Sequence, residues 1–365
     1  MKLLLLAGEE SGVMYAERIR AEVLRRCPGA EIRGYGYYGF KTEDLAVMGF
    51  GQVIRRIFYF LRVERVMKRR AVDGWRPDVV CTVDYPGMNL RLSAYAKAKG
   101  VKTVHVVCPQ VWAWRRGRIP KIERSTDRLC CFFPFEPALF RTGFAEFVGH
   151  PLAEDFRRAY GGGRAGNSGG VVAMLPGSRI GEIEKHVPVM LEAAAALSSG
   201  PSPIFRGAVV MPAANEKAFE VISRAVARSG VNNVKVVAGG AREVLKSAAA
   251  AVVASGTATL EAALAGCPTV LVYRVGWLFA AVARIVIRGV KHIGLVNIIA
   301  EKAGAPCPMP ELLQKDFTAA GVVARLKPWL SDESAAAAAR KALADTVALL
   351  DAGGDAVGRI AQFLM

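Results

Sequence analysis

Asp84 closes the apolar run Val79-Val-Cys-Thr-Val and leads directly into Tyr85-Pro-Gly-Met-Asn89. A carboxylate at the end of a buried strand, held by a turn-forming Pro-Gly, can take a proton from a hydroxyl that attacks an electrophilic carbon. It could instead cap the helix that follows, and spacing alone leaves the two readings level. Further on, Trp112 and Trp114 stand beside Arg115, Arg116, Arg118, Lys121, Arg124 and Arg128, with Glu123 and Asp127 against them. Rings with cations between them suit a sugar phosphate, the ring on the sugar and the guanidinium on the phosphate. They also suit stacked nucleic-acid bases, or a solvated basic helix face. Gly149-His150-Pro151 puts a histidine at a strand end, where a hinge or core role competes with proton transfer.

The second half carries a different chemistry. Leu175-Pro-Gly-Ser178-Arg179 follows an apolar run and precedes Glu182. It lacks the Gly-Lys-Ser/Thr of a P-loop, so ATP is not indicated. Small residues, a hydroxyl and an arginine at a helix start can still neutralise a diphosphate leaving group. Ala254-Ser255-Gly256-Thr257 repeats the device with Glu261 one turn into its helix, and Gly239-Gly240 falls between the two. Either motif alone is weak; together they read as a nucleotide-diphosphate site. Gly34-Tyr-Gly-Tyr-Tyr-Gly39 spells the dinucleotide fingerprint but follows the second strand rather than the first, so it reads as a glycine-aromatic loop. In Ala7-Gly-Glu9-Glu-Ser11-Gly12 the glycines tighten a turn, and the helix start beyond can meet an anion or a sugar hydroxyl.

These residues need elements to hold them. Apolar runs at 2–7, 31–34, 79–84, 103–107, 128–133 and 147–149 alternate with helical patterns such as 13–27 and 93–99. That alternation predicts a parallel sheet with helices on both faces. A Gly-rich break at 161–170 interrupts it, and the pattern restarts with runs at 171–175, 208–211, 234–237, 251–254 and 269–273. The expected fold is α/β and GT-B-like, two doubly wound Rossmann-like domains facing a central cleft, with ligands beyond the carboxyl ends of the strands. The expected division is residues 1–157, a linker at 158–170, and 171–344; the arrangement resembles the GT-B glycosyltransferases, and that resemblance implies a last helix at about 345–365 that packs back on the first domain.

A chain of 365 residues, 52% hydrophobic, can bury two such cores, and its net charge of +17 points to an anionic partner. Its 7 cysteines lie mostly in apolar runs without C-x-x-C spacing. Free thiols in a reducing cytoplasm are therefore expected, not disulfides or a metal centre. Met1-Lys-Leu-Leu-Leu-Leu reads as a first strand rather than a signal peptide, and no uncharged apolar run is long enough to span a bilayer. Residues 53–70 are strongly basic. On a helical wheel Val53, Ile54, Ile57, Phe60 and Leu61 form a core stripe, leaving Phe58, Tyr59 and Val63 among the arginines. A helix lying in lipid headgroups needs such extra apolar residues; a plain core helix is the alternative. The segment 277–288, with Trp277 and Phe279, has the same character. An apolar, basic lip of Ile57, Phe58, Tyr59, Phe60, Leu61, Trp277 and Phe279 is thus expected to meet a membrane.

Pro109-Gln-Val-Trp-Ala-Trp114, Phe133-Pro-Phe-Glu136 and Phe147-Val-Gly-His-Pro151, together with the Ala7–Gly12 turn, make the chain resemble the lipid-A-disaccharide synthases. These are inverting GT-B glycosyltransferases, and the resemblance runs from Ala7 to Gln314. It implies transfer of 2,3-diacylglucosamine from its UDP derivative to 2,3-diacylglucosamine 1-phosphate, giving the β-1,6-linked lipid A disaccharide 1-phosphate and UDP. It favours Asp84 as the base and adds His150 as a catalytic candidate. It makes Glu9, Ser11, Gly12, Asn89, Trp112, Trp114, Arg115, Arg116 and Asn297 substrate contacts. It assigns Ser178, Arg179, Gly239, Gly240, Ser255, Gly256, Thr257, Glu261 and Gln314 to UDP. Val13 stands where the family turn ends in Asp, and Gly87 where many members carry a second acid, so a two-acid mechanism is not available. Neither metal nor cofactor is implied. The partners implied are the two lipid substrates, an anionic membrane surface and, among proteins, a second copy of the chain, with no nucleic acid. The implied place is cytoplasmic, peripheral on the inner face of the inner membrane. Another GT-B enzyme, such as a UDP-sugar epimerase, and a nucleic-acid binder with steeply salt-dependent affinity are the competing classes.

Overall fold

Four consecutive leucines, Leu3–Leu6, are buried together only in a strand covered on both faces. In the computed structural model they form β1 (Lys2–Ala7). The structure describes residues 1–8, 10–41, 45, 57–161, 170–199, 201–276 and 290–365. The chain divides into two compact units, Met1–Glu154 with Leu350–Met365, and Asp155–Leu349.

The first unit holds β1, β2 (Glu31–Arg33), β3 (Val79–Val83), β4 (Lys102–Val106), β5 (Arg128–Cys131) and β6 (Ala145–Phe147). They form one sheet in the order β2-β1-β3-β4-β5-β6, every pairing parallel. Alternation along β1 feeds two cores. Leu3 and Leu5 pack with Ile19 and Val23 of α1 (Glu10–Arg26). Leu4 and Leu6 pack with Val63 of α2 (Ile57–Val66) and with Met88 and Leu92 of α3 (Pro86–Ala98). α4 (Ile119–Ser125) precedes β5.

α5 (Pro151–Tyr160) carries the chain into the second unit. There β7 (Val171–Leu175), β8 (Ala208–Ala213), β9 (Val234–Ala238), β10 (Ala250–Ala254), β11 (Thr269–Tyr273) and β12 (Glu311–Leu313) form a second parallel sheet, ordered β12-β11-β10-β7-β8-β9. Its helices are α6 (Ile180–Ser198), α7 (Glu216–Ser229), α8 (Ala241–Ser247), α9 (Thr257–Leu264), α10 (Leu295–Lys302), α11 (Ala319–Ser331) and α12 (Glu333–Ala348). The chain then returns to the first unit as α13 (Ala356–Leu364), whose Ile360 and Leu364 join the layer against α1. Each sheet reverses its strand order once, between β1 and β3 and between β7 and β10. The connections there leave to opposite faces, which opens a crevice at the carboxyl ends of those strands.

The expected α/β architecture of two parallel sheets holds, with local corrections. The strand expected at 147–149 ends at Phe147, because Gly149 turns into the left-handed region at φ 91°. Residues 158–160, expected to open a linker, are the last turn of α5. The core stripe expected along 53–61 also shifts. Val63 is fully buried, whereas Ile57 and Leu61 are 48% and 50% exposed beside Phe58 at 82%. Val63 and Met67 lie one turn apart against the Leu4–Leu6 face, and that rotates the other residues outward. Tyr59 and Phe60 pack at the edge of the same core. Val53, Ile54, Glu9, Trp277, Phe279 and the Ser11 side chain lie outside the described residues. Among the described residues no helix is long and apolar enough to cross a membrane.

Candidate functional site

In the first unit the turns after β1 and β3 meet at the strand-order reversal. A Cβ on Gly8 would come within 2.5 Å of the Tyr85 ring, and one on Gly12 would lie 3.8 Å from the Asp84 Cβ. The glycines of the first turn thus let α1 start against Asp84. Asp84 and Tyr85 are both left-handed, each with φ 50°, a strained pair for residues with side chains. Two bonds hold them there: the Asp84 N–H donates to Val106 O at 2.9 Å, and Asn89 Nδ2 donates to Asp84 O at 2.8 Å. The helix-cap reading of Asp84 is not what forms. The N-cap of α3 is Tyr85, and it makes no side-chain cap bond. The Asp84 carboxylate accepts the Tyr85 N–H at 2.8 Å and is otherwise dominated by burial, which raises its pKa above the usual carboxylate range.

Asn89, expected as a substrate contact, is placed in the interior of the first unit. It is fully buried, its Nδ2 serves the carbonyls of Leu6, Val83 and Asp84, and its Oδ1 accepts the Tyr35 hydroxyl at 2.6 Å. Its polar atoms are spent tying the ends of β1 and β3 together. Trp112 is also corrected. It is 7% exposed, its Nε1 donates to Glu136 Oε1 at 3.0 Å, and its ring meets Phe135 edge-on at 5.7 Å. The Pro-Gln-Val-Trp and Phe-Pro-Phe-Glu motifs are therefore two halves of one packed unit, and its buried acceptor, Glu136, is a residue that spacing did not single out. Burial pushes Glu136 up to about 8, so it is largely protonated at neutral pH. The fold also gathers Cys108, Cys131 and Glu136, with ligand-type atoms within 4.8 Å of one another. The hydrogen bond with Cys108 pulls Cys131 down, but burial and Glu136 together leave it raised, and Cys108, hydrogen-bonded to Cys131, lies above the usual thiol range, so the cluster is protonated. Trp114 remains partly exposed, with the Arg115 guanidinium 4.5 Å above its ring, and Arg115 and Arg116 face solvent.

His150 is 5% exposed among Tyr15, Phe132 and Phe133, and its Nδ1 accepts the Leu152 N–H at 3.2 Å. Burial and the charge of Arg18 push it down to about 4. It starts α5 as a neutral cap, with Nδ1 occupied by that bond.

The Glu136 carboxyl yields the first testable expectation. A group with its folded pKa raised contributes stability at low pH that is lost as pH rises through the folded value. Between about pH 4.5 and 8 Glu136 should therefore lose on the order of a few kcal/mol of stability. Glu136→Gln keeps an acceptor for Trp112 but cannot titrate. Urea unfolding from pH 5 to 8 should fall with pH in the wild type more steeply than in the variant; parallel curves would refute the assignment.

The second unit holds a hollow of about 570 Å³ at the β7/β10 reversal. Ser178 and Arg179 line it after β7, Gly239 and Gly240 after β9, and Ser255, Gly256, Thr257 and Glu261 after β10. Gly239 and Gly240 are left-handed at φ 66° and 68°, which carries the chain tightly from β9 into α8. Helix ends explain what the hollow can take. α7, α11 and α12 are capped by the side chains of Asn215, Thr318 and Asp332. α6, α8 and α9, which open onto the hollow, have no side-chain cap. No side chain therefore occupies the starts of these helices, which suits an anion there. Arg179 adds a cation, half-exposed and 2.9 Å from Glu182. Glu261 pairs with Arg242 at 2.9 Å; Arg242 also lines the hollow and was missed because nothing in its spacing marks it. Amides and arginines beside carboxylates suit a ligand with phosphates at one end and hydroxyls at the other.

Two residues expected near this ligand are elsewhere. Asn297 is 1% exposed, with Nδ2 on Met309 O and Glu311 Oε1 and Oδ1 on the Met309 N–H, so the loop before β12 consumes it. Gln314 does not line the hollow; it turns left-handed after β12, and its carbonyl accepts Arg274 Nε at 3.2 Å.

Comparison with known proteins gives a consistent result. The sequence model of a family described as "Lipid-A-disaccharide synthetase" matches residues 3–353. Lipid-A-disaccharide synthase of Anaeromyxobacter dehalogenans (strain 2CP-C) is 36% identical over 372 residues, covering 97% of this chain and 94% of the relative. That of Geobacter sulfurreducens is 35% identical over 370 residues, with the same coverage of 97% and 94%. Among solved structures, UDP-GlcNAc 2-epimerase from Neisseria meningitidis bound to UDP-GlcNAc superposes with a TM-score of 0.59 at 12% identity, covering 100% of this chain and 99% of that one. MurG from Acinetobacter baumannii gives 0.58 at 14%, covering 100% and 99%. The calicheamicin glycosyltransferase CalG4 gives 0.59 at 16%, covering 99% and 96%. At these identities the likeness is one of fold, the GT-B architecture.

Proposed function

The chain belongs to the lipid-A-disaccharide synthetase family, and on that premise we propose how its side chains carry out the transfer. It is a glycosyltransferase of lipid A biosynthesis, with a UDP-sugar donor and a glycolipid acceptor. The donor in our reading is UDP-2,3-diacylglucosamine and the acceptor 2,3-diacylglucosamine 1-phosphate. The carrying observation is the single hollow that gathers Ser178, Arg179, Gly239, Gly240, Ser255, Gly256, Thr257 and Glu261. The diphosphate lies on the uncapped starts of α6 and α9, with Arg179 neutralising charge as UDP departs. Glu261 accepts a ribose hydroxyl. Asp84 takes the proton of the acceptor 6-hydroxyl as that oxygen attacks the anomeric carbon; the bond to UDP breaks on the opposite face, and the configuration inverts. Trp114, Arg115 and Arg116 hold the acceptor sugar and its phosphate.

UDP binding by calorimetry and by thermal shift tests the donor half. The wild type should bind UDP and melt higher with it, while generic duplex DNA leaves the melting temperature unchanged. Glu261→Ala should weaken UDP about tenfold through loss of a charge-assisted hydrogen bond. A folded wild type that binds no UDP would sink the donor assignment.

The exposed trio Ile57, Phe58 and Leu61, next to exposed Arg62, Arg65 and Arg69, supports a peripheral place on an anionic membrane surface, the cytoplasmic face of the inner membrane. Phe58→Glu should lower binding to phosphatidylglycerol-containing vesicles about tenfold and leave UDP affinity intact. Equal sedimentation of wild type and variant with vesicles would move the membrane contact elsewhere.

A further inference from the structure

Apart from both sites, the second unit lines up three side chains, one before α10, one after it and one at the start of β12. The Cys307 Sγ lies 3.2 Å from His292 Nε2, and His292 Nδ1 lies 3.6 Å from Glu311 Oε1. Glu311 is rigid. Its oxygens accept the N–H of Ile293 at 3.1 Å, the N–H of Gly294 at 3.0 Å and Asn297 Nδ2 at 2.9 Å. Asn297, freed from the substrate role, is thus the anchor of this array. Its carbonyl lies 3.6 Å from Cys307 Sγ, and its amide pins Met309 beyond the cysteine. Nucleophile, imidazole and orienting carboxylate in that order is the arrangement that activates a weak nucleophile.

We propose that Cys307 is a nucleophilic thiol served by His292 as general base, and that it is a site of covalent modification by hydroperoxides. Access separates it from the other cysteines. Cys81, Cys108, Cys130, Cys131 and Cys267 are buried, Cys27 is partly so, and Cys307 is exposed. Burial and the negative charges of Glu301 and Glu311 raise the Cys307 thiol. The resting group is therefore a neutral S–H with two acceptors in reach, His292 Nε2 and the Asn297 carbonyl, and reaction requires the imidazole to take its proton. In the tautomer that carries its hydrogen on Nδ1, on the side of Glu311 3.6 Å away, Nε2 has the lone pair that receives it. The sulfur then attacks the distal peroxide oxygen. An S–O bond forms, the O–O bond breaks, and the leaving oxygen collects the proton from Nε2. Thiol and hydroperoxide become sulfenic acid and alcohol (water from hydrogen peroxide), the sulfur oxidised and the peroxide reduced.

The test uses the full chain with hydrogen peroxide as the probe and dimedone to trap sulfenic acid, read peptide by peptide by mass. At pH 7 Cys307 should label at least about tenfold faster than Cys27, and His292→Gln should slow Cys307 at least about tenfold without altering Cys27. As the pH is raised until thiolate forms without a base, the variant should approach the wild-type rate. Cys307→Ser should remove the label. Equal Cys307 rates in wild type and His292→Gln at pH 7, or Cys27 labelling as fast as Cys307, would overturn the proposal.

Discussion

Asp84→Asn should lower turnover about a thousandfold while the protein still folds and still binds UDP. Removing a general base costs factors of this order. Asparagine is the informative replacement because position 84 is left-handed at φ 50°, a conformation that Asp and Asn tolerate better than other side chains. Alanine would mix lost chemistry with backbone strain. UDP binding is a fair control, since the hollow proposed for the nucleotide is built wholly within the other unit. The pH profile adds a second readout. Burial raises the Asp84 pKa, and a base works only when deprotonated. The acid limb of kcat should therefore sit above the ordinary carboxylate range, with activity rising through it. Disaccharide formation in detergent micelles, followed by mass, checks both. Full turnover by Asp84→Asn would keep the family activity and move the base elsewhere.

Asn89→Ala should have the second largest effect, on stability and catalysis together. It removes the acceptor of the buried Tyr35 hydroxyl and the amide donor shared by the carbonyls of Leu6, Val83 and Asp84. Buried polar groups left unpaired cost about 1–3 kcal/mol each before relaxation, and partial compensation brings the expected loss to about 3 kcal/mol. Asn89 also pins the carbonyl of the strained Asp84, so kcat should fall about tenfold as the carboxylate loses its placement. The donor KM should not change. Denaturant unfolding with steady-state kinetics at reduced temperature separates the effects. A variant that is destabilised yet turns over at the wild-type rate would show that Asn89 serves the fold alone.

Much of this was legible in one dimension. The Leu3–Leu6 and Val79–Val83 runs predict buried parallel strands because only a doubly covered sheet hides consecutive apolar residues. Ser178-Arg179 and Ser255-Gly256-Thr257 predict ligand turns because small residues at strand ends leave room and free amides. These signals are local, carried by neighbours in the chain. The roles of Trp112, Asn89, Asn297 and His150 were not legible, although the same motifs contain them. Each could meet a ligand or the protein, and the deciding partner is distant: Glu136 for Trp112, Tyr35 for Asn89, Met309 for Asn297. The sense of α2 was lost for the same reason, since a wheel gives the stripe but not the surface it meets. The amino-acid order alone therefore determined the two-sheet architecture, the family likeness and the turns that line the hollow of the second unit. The tertiary structure alone decided which polar side chains remain open to chemistry, because a buried donor or acceptor is claimed by whatever partner folding brings within about 3 Å.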